Sequence, residues 1–158
     1  MTRLRTIAPF VTLALLATSC STVQARRDPL CAHLLAFANS ASIGTQPAIE
    51  LVSDWSSFSK HCTHGGTPAG RQFCDWLLPN TSTEFATINI QRTLACLAPG
   101  TNYAGSERLF PEYVTGKVQS LNVRGLDADV VITVEYAVGI EGERPRMKVQ
   151  AERLPPQD

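Results

Sequence analysis

The chain has 158 residues, 14 basic side chains against 14 acidic ones, and 44 % hydrophobic residues. That length suits one domain with a real core. Zero formal charge, with no basic block and no interleaving of aromatic and basic residues, excludes nucleic acid as an expected partner.

The first elements form a leader. Arg3 and Arg5 give a positive start, residues 7–17 an apolar stretch, and Ala17, Thr18 and Ser19 a run of small residues before Cys20. An apolar run this short fits the core of a secretory signal and is too short for a permanent membrane-spanning helix. The tetrapeptide Ala17-Thr18-Ser19-Cys20 resembles the lipobox of bacterial lipoproteins, with alanine where that family most often has leucine. The resemblance is confined to the first 20 residues. It implies cleavage before Cys20, acylation of its thiol (palmitate included) and a membrane-held N-terminus. Ser21 after the cysteine then implies the outer membrane, facing the periplasm. The competing reading is ordinary secretion with cleavage after Val23-Gln24-Ala25, which would leave Arg26 and Arg27 to open the mature chain. Basic residues just beyond an apolar segment resist transfer across a membrane, which favours the lipobox. The expected organisation is a signal peptide over residues 1–19, a lipidated tether over 20–27 and a single domain over 28–158.

Asp28-Pro29 starts a helix with Cys31, Leu34, Leu35 and Ala38 at helical spacing, and Gly44 and Pro47 break the pattern beyond it. Ile49, Leu51 and Trp55 alternate with Glu50 and Asp54, which predicts a strand. Thr67-Pro68 starts a second helix that carries Phe73, Trp76 and Leu77 to a break at Pro79-Asn80. Thr81, three residues before Glu84, predicts a capping box for a third helix bearing Phe85, Ile88, Ile90, Leu94 and Leu97, ended by Pro99-Gly100. Val114, Val118, Leu121 and Val123 predict a strand with a bulge where the phase shifts. Val130, Ile132, Val134, Tyr136 and Val138 alternate strictly, and Met147, Val149 and Ala151 suggest one more strand. The expected fold is therefore α+β, with three helices on one face of an antiparallel sheet that ends in a three-stranded meander.

Of five cysteines, either leader reading sets Cys20 apart and leaves Cys31, Cys62, Cys74 and Cys96, an even set for an oxidising compartment. The second and third predicted helices share a short turn and should pack antiparallel, which would separate Cys74 from Cys96 by roughly 15 Å at about 1.5 Å rise per residue. A disulfide needs Cα atoms within about 7 Å. Of the two remaining pairings, Cys62–Cys74 with Cys31–Cys96 is favoured. It closes the loop holding Gly65 and Gly66 and ties the start of the first helix to the end of the third.

No catalytic constellation stands out. His61, Cys62, His64, Cys74 and Asp75 are zinc-ligand types, but Gly65-Gly66 follow at once, the spacing fits no familiar site and the thiols are taken up by bridges. No Gly-x-Ser-x-Gly elbow occurs, Glu84 with Asp75 is an ordinary acidic pair, and His33 reads as a packed or surface residue of the first helix. No metal or cofactor is implied. Trp55 and Trp76 read as core aromatics between helix and sheet, and Asn102, Tyr103 and Arg108 make the loop from Pro99 to Pro111 a contact region. The function expected is that of a lipid-anchored, non-catalytic binding protein of the cell envelope, engaging another envelope protein as an inhibitor or immunity factor. The alternatives are an accessory lipoprotein of an envelope or secretion machine, or an envelope enzyme of unfamiliar site. A strongly acidic or aromatic exposed patch would favour the first, an uncovered sheet edge that pairs with a partner strand the second, and a deep pocket gathering His61, His64 and carboxylates the third.

Overall fold

The computed structural model describes residues 28–97 and 114–156. Asp28 opens α1 (Pro29–Asn39): its carboxylate accepts the Leu30 N–H at 3.0 Å, and Pro29 occupies a first-turn position that needs no donor. Two strands follow, β1 (Ala48–Asp54) and β2 (Ser59–Thr63), then α2 (Pro68–Asn80) and α3 (Ala86–Leu97), then β3 (Val114–Ser120), β4 (Val130–Val138) and β5 (Arg146–Arg153). The sheet order is β2-β1-β5-β4-β3, antiparallel throughout. The β3-β4-β5 meander thus joins the β1–β2 hairpin through β5, the central strand, and the fold is the α+β arrangement expected.

All three helices lie on one face. Leu30, Leu34 and Phe37 of α1 and Phe73 and Leu77 of α2 pack on Ile49, Leu51, Ile132, Val134, Met147 and Val149. The opposite face is polar, because a period of two sends every second residue outward. In one row across it, Glu50, Lys148, Glu135 and Lys117 stand in register on β1, β5, β4 and β3, and Lys117 pairs with Glu135 at 3.0 Å.

Both disulfides form as favoured, Cys31–Cys96 and Cys62–Cys74, with Cα separations of 5.2 and 5.5 Å. The expected helical hairpin does not form: α1 lies between α2 and α3 and carries the main helix contacts of both. The pairing holds nonetheless, because α1 and α3 are neighbours.

Several local expectations are corrected. Thr81 caps the end of α2 rather than the start of α3, donating its hydroxyl to the Leu77 carbonyl. The turn into α3 is stabilised by Ser82, whose hydroxyl accepts from Phe85 N–H, and α3 begins only at Ala86. Phe85 and Ile88 are exposed rather than inward. Trp55 lies in a turn beyond β1, 56 % exposed, and not in a strand or the core. Strand β2, unanticipated, comes directly after that turn. β3 runs in register to Ser120 without a bulge; Leu121 is exposed and Val123 is buried in the following loop. In β4 the strict alternation relaxes at Tyr136, which is half-buried and whose ring lies over Gly116 of β3. The leader, Cys20, Asn102, Tyr103 and Arg108 lie outside the described residues.

The two ends of the sheet differ. At one, Asn39 of α1 donates to Gly125 O and accepts from Asp127 N–H, both at 3.0 Å, while Arg153 binds Asp127 and Asp129. At the other stand the β1–β2 turn, the β4–β5 connection and the link between α2 and α3.

Candidate functional site

The β1–β2 turn is built by Asp54. Its Oδ1 accepts from the Ser56 hydroxyl at 2.6 Å and from the Ser57 N–H at 3.3 Å, closing an Asx-type turn over residues 55–58. Phe58 N–H donates to the Trp55 carbonyl at 3.2 Å, and Ser57 and Ser59 share a hydroxyl hydrogen bond of 2.7 Å. From the neighbouring β4–β5 connection, Arg144 reaches Asp54 Oδ2 at 3.2 Å. The Ser56 hydroxyl first, then Ser57 and the Arg144 charge, hold the Asp54 carboxyl down at about 2.

This scaffold points two large rings outward. Trp55 is 56 % and Phe58 73 % exposed, with ring centroids 5.8 Å apart and planes tilted by 51°. Phe58 has φ 49°, a left-handed backbone that disfavours a bulky side chain. Folding alone would place glycine or asparagine there; phenylalanine occupies the position despite the strain and gains little burial.

The turn is braced from behind. Lys60 of β2 donates to the carbonyl and hydroxyl oxygens of Thr81, and partial burial lowers its ammonium's pKa. Asn89, 1 % exposed, holds Ser82 N–H and C=O together at 2.8 and 2.7 Å, fixing the link between α2 and α3. Phe85 and Ile88, at the start of α3, stand exposed at this same end, where Ser53 and Ala86 line one narrow recess. Four of the six exposed large hydrophobic residues among those described therefore gather here. Two ion pairs stand beside them: Asp54 with Arg144, and Glu143 with Arg146 at 2.6 Å.

The other residues singled out by sequence take structural roles or stand apart. Cys62 and Cys74 join β2 to α2, and Cys31 and Cys96 join α1 to α3. His33 stacks on Trp76 at 4.5 Å, so Trp76 is a half-buried helix-to-helix contact. His61 projects from the outer face of β2, while His64 lies just beyond the strand with its Nδ1 buried and unpaired. Among the described residues no three of His, Cys, Asp and Glu cluster closely enough to hold a metal ion. Asp75 and Glu84 are both exposed and sit on different segments.

Sequence alone does not single out Phe58, and it assigns Trp55 to a strand. The signal available is the run Asp54-Trp55-Ser56-Ser57-Phe58-Ser59: an Asx-turn former with serines close behind it, between two alternating stretches.

No known protein family matches the chain, and neither a curated protein nor a solved structure matches it. Among the described residues no helix is long and apolar enough to cross a membrane.

Proposed function

We propose that this chain is a lipid-anchored cell-envelope protein that binds another envelope protein without catalysing a reaction, as an inhibitor or immunity factor against a periplasmic enzyme or toxin. The lipidated residue is Cys20, and the docking element is the hairpin tip bearing Trp55 and Phe58. One observation carries this reading: a strained phenylalanine, 73 % exposed beside an exposed tryptophan, on a turn braced by three neighbouring segments. Strain held at an exposed position points to use of that position. Aromatic side chains on a rigid turn are typical anchors of protein interfaces, since they bring large contact area with few torsions to order.

A second reading, an accessory lipoprotein of an envelope or secretion machine, is favoured by the outer edge of β2. Among the described residues that edge is unpaired, and it leads directly from the docking turn, so a partner strand could extend the sheet there.

The test is in-cell cross-linking from position 57, compared between the natural chain and a Trp55→Ser, Phe58→Ser double variant. One stoichiometric enzyme or toxin, captured by the natural chain and lost in the variant, is expected. Several machine components lost together would support the second reading. Equal capture by both chains would refute docking through the tip.

A further inference from the structure

The point at which the N-terminal segment enters the domain fixes a direction. Arg92 of α3 grips Asp28 bidentately, Nε to Oδ2 at 2.7 Å and Nη2 to Oδ1 at 2.8 Å, and its remaining nitrogen donates to Asn80 O at 2.8 Å. Asn80 ends α2, and the next residue, Thr81, receives Lys60, whose strand position opposes Ser53 just before the Trp55 turn. Asp28 therefore sits at the aromatic end of the domain. The far end of α1 confirms the polarity, because Asn39 is bound to the β3–β4 loop at the other end. The Arg92 contact lowers the Asp28 pKa, so the pair remains charged at neutral pH.

From Cys20 to Asp28 the chain can reach at most about 28 Å when fully extended. A lipid on Cys20 would thus draw in the end bearing Trp55, Phe58, Phe85 and Ile88, and leave the end bearing Ile43 and Leu121 facing away.

We infer that the aromatic end faces the bilayer and that the partner is a protein seated in that same membrane, met at its surface. The inference rests on the lipid-anchored docking reading and adds the address of the partner. The physical gain is effective concentration: two proteins held in one membrane, with complementary faces at one height, meet far more often than either meets a freely diffusing protein.

The orientation is tested first, on acylated full-length protein in phosphatidylcholine vesicles carrying a headgroup spin label. Trp55, read by difference between the natural chain and Trp55→Phe, is expected to be quenched. A reporter at the opposite end, Leu121→Trp in the Trp55→Phe background, is expected to lose that quenching. Equal quenching at both positions, or stronger quenching at 121, would overturn the inference. The partner's address is tested by a rigid helical spacer of about 30 residues, some 45 Å long, placed between Arg27 and Asp28. With acylation intact, the tip-dependent cross-link is expected to disappear. Its retention at the natural yield would overturn the membrane-seated partner and leave docking standing. A cross-link that never depends on Trp55 and Phe58 would instead remove the docking reading, and this inference with it.

Discussion

Removing the two disulfides one at a time should destabilise the domain unequally, in the order set by the chain they enclose. Cys31–Cys96 spans 65 residues of sequence and Cys62–Cys74 spans 12. If a bridge acts by restricting the unfolded chain, loop-closure entropy gives about 4 kcal/mol for the long loop and about 3 kcal/mol for the short one. The paired variants Cys31→Ala, Cys96→Ala and Cys62→Ala, Cys74→Ala isolate the terms, because alanine leaves no free thiol to mispair. Urea unfolding monitored by far-ultraviolet circular dichroism reads both, and the denaturant slope should rise in each variant as the unfolded chain expands. The long-loop variant is expected to lose more stability. If opening Cys62–Cys74 costs as much or more, the bridges act through native contacts between β2 and α2, and the chain-entropy argument fails.

Individual contacts give further expected outcomes. Leu34, fully buried between α1 and the sheet, should lose about 3 kcal/mol on Leu34→Ala, measured by the same urea titration. Gly116→Ala would drive a Cβ into the Tyr136 ring; pairing it with Tyr136→Ala should recover part of the lost stability, and a double-mutant cycle showing no coupling would refute the contact. Asp54 is held at about 2 against an ordinary 3.8, so its contribution is complete above pH 4 and is lost as pH falls through about 2. The acid-unfolding curve of Asp54→Asn should accordingly be flatter over that window than that of the natural chain. Phe58→Gly should leave stability unchanged or raise it by up to about 1 kcal/mol by relieving the left-handed strain, while abolishing the tip-dependent cross-link.

Residues whose environment is set by periodicity are legible from sequence. Val130, Ile132, Val134, Val149 and Ala151 are wholly buried, and Met147 nearly so, as their alternation requires. Asp28-Pro29 and Thr67-Pro68 open helices because a capping side chain and a proline act within one turn of chain. The features that sequence misplaces depend on partners distant along the chain. Thr81 and Glu84 satisfy the spacing of a capping box, yet the Lys60 ammonium and the Leu77 carbonyl claim Thr81. Phe85 and Ile88 fit the apolar stripe of a helix, but the sheet lies under Ile90 and Leu94 instead. The candidate site is the least legible part: Trp55 reads as core by composition, and only the placement of Asp54, Arg144 and the left-handed Phe58 turns it outward.

If the hairpin tip docks as proposed, its braces account for how so small an element would bind tightly. Trp55 and Phe58 gain little from burial within their own domain, so their position has to be imposed by other contacts. Cys62–Cys74 ties β2 to α2, Lys60 reaches Thr81 beyond α2, and Arg144 holds Asp54 from the β4–β5 connection. Each restraint comes from a different segment, and none involves the two rings themselves. A turn fixed in this way loses little conformational freedom on association, where a mobile loop would lose about 0.5–1.5 kcal/mol for each side chain ordered. Preorganisation then shows mainly as slow dissociation. Opening Cys62–Cys74 should therefore speed release of the partner in the proposed docking even in protein that is still fully folded, whereas opening Cys31–Cys96, which joins α1 to α3 and holds neither strand of the hairpin, should leave the release rate unchanged. Equal release rates for the two variants would mean that the tip is ordered by its partner and not by these braces.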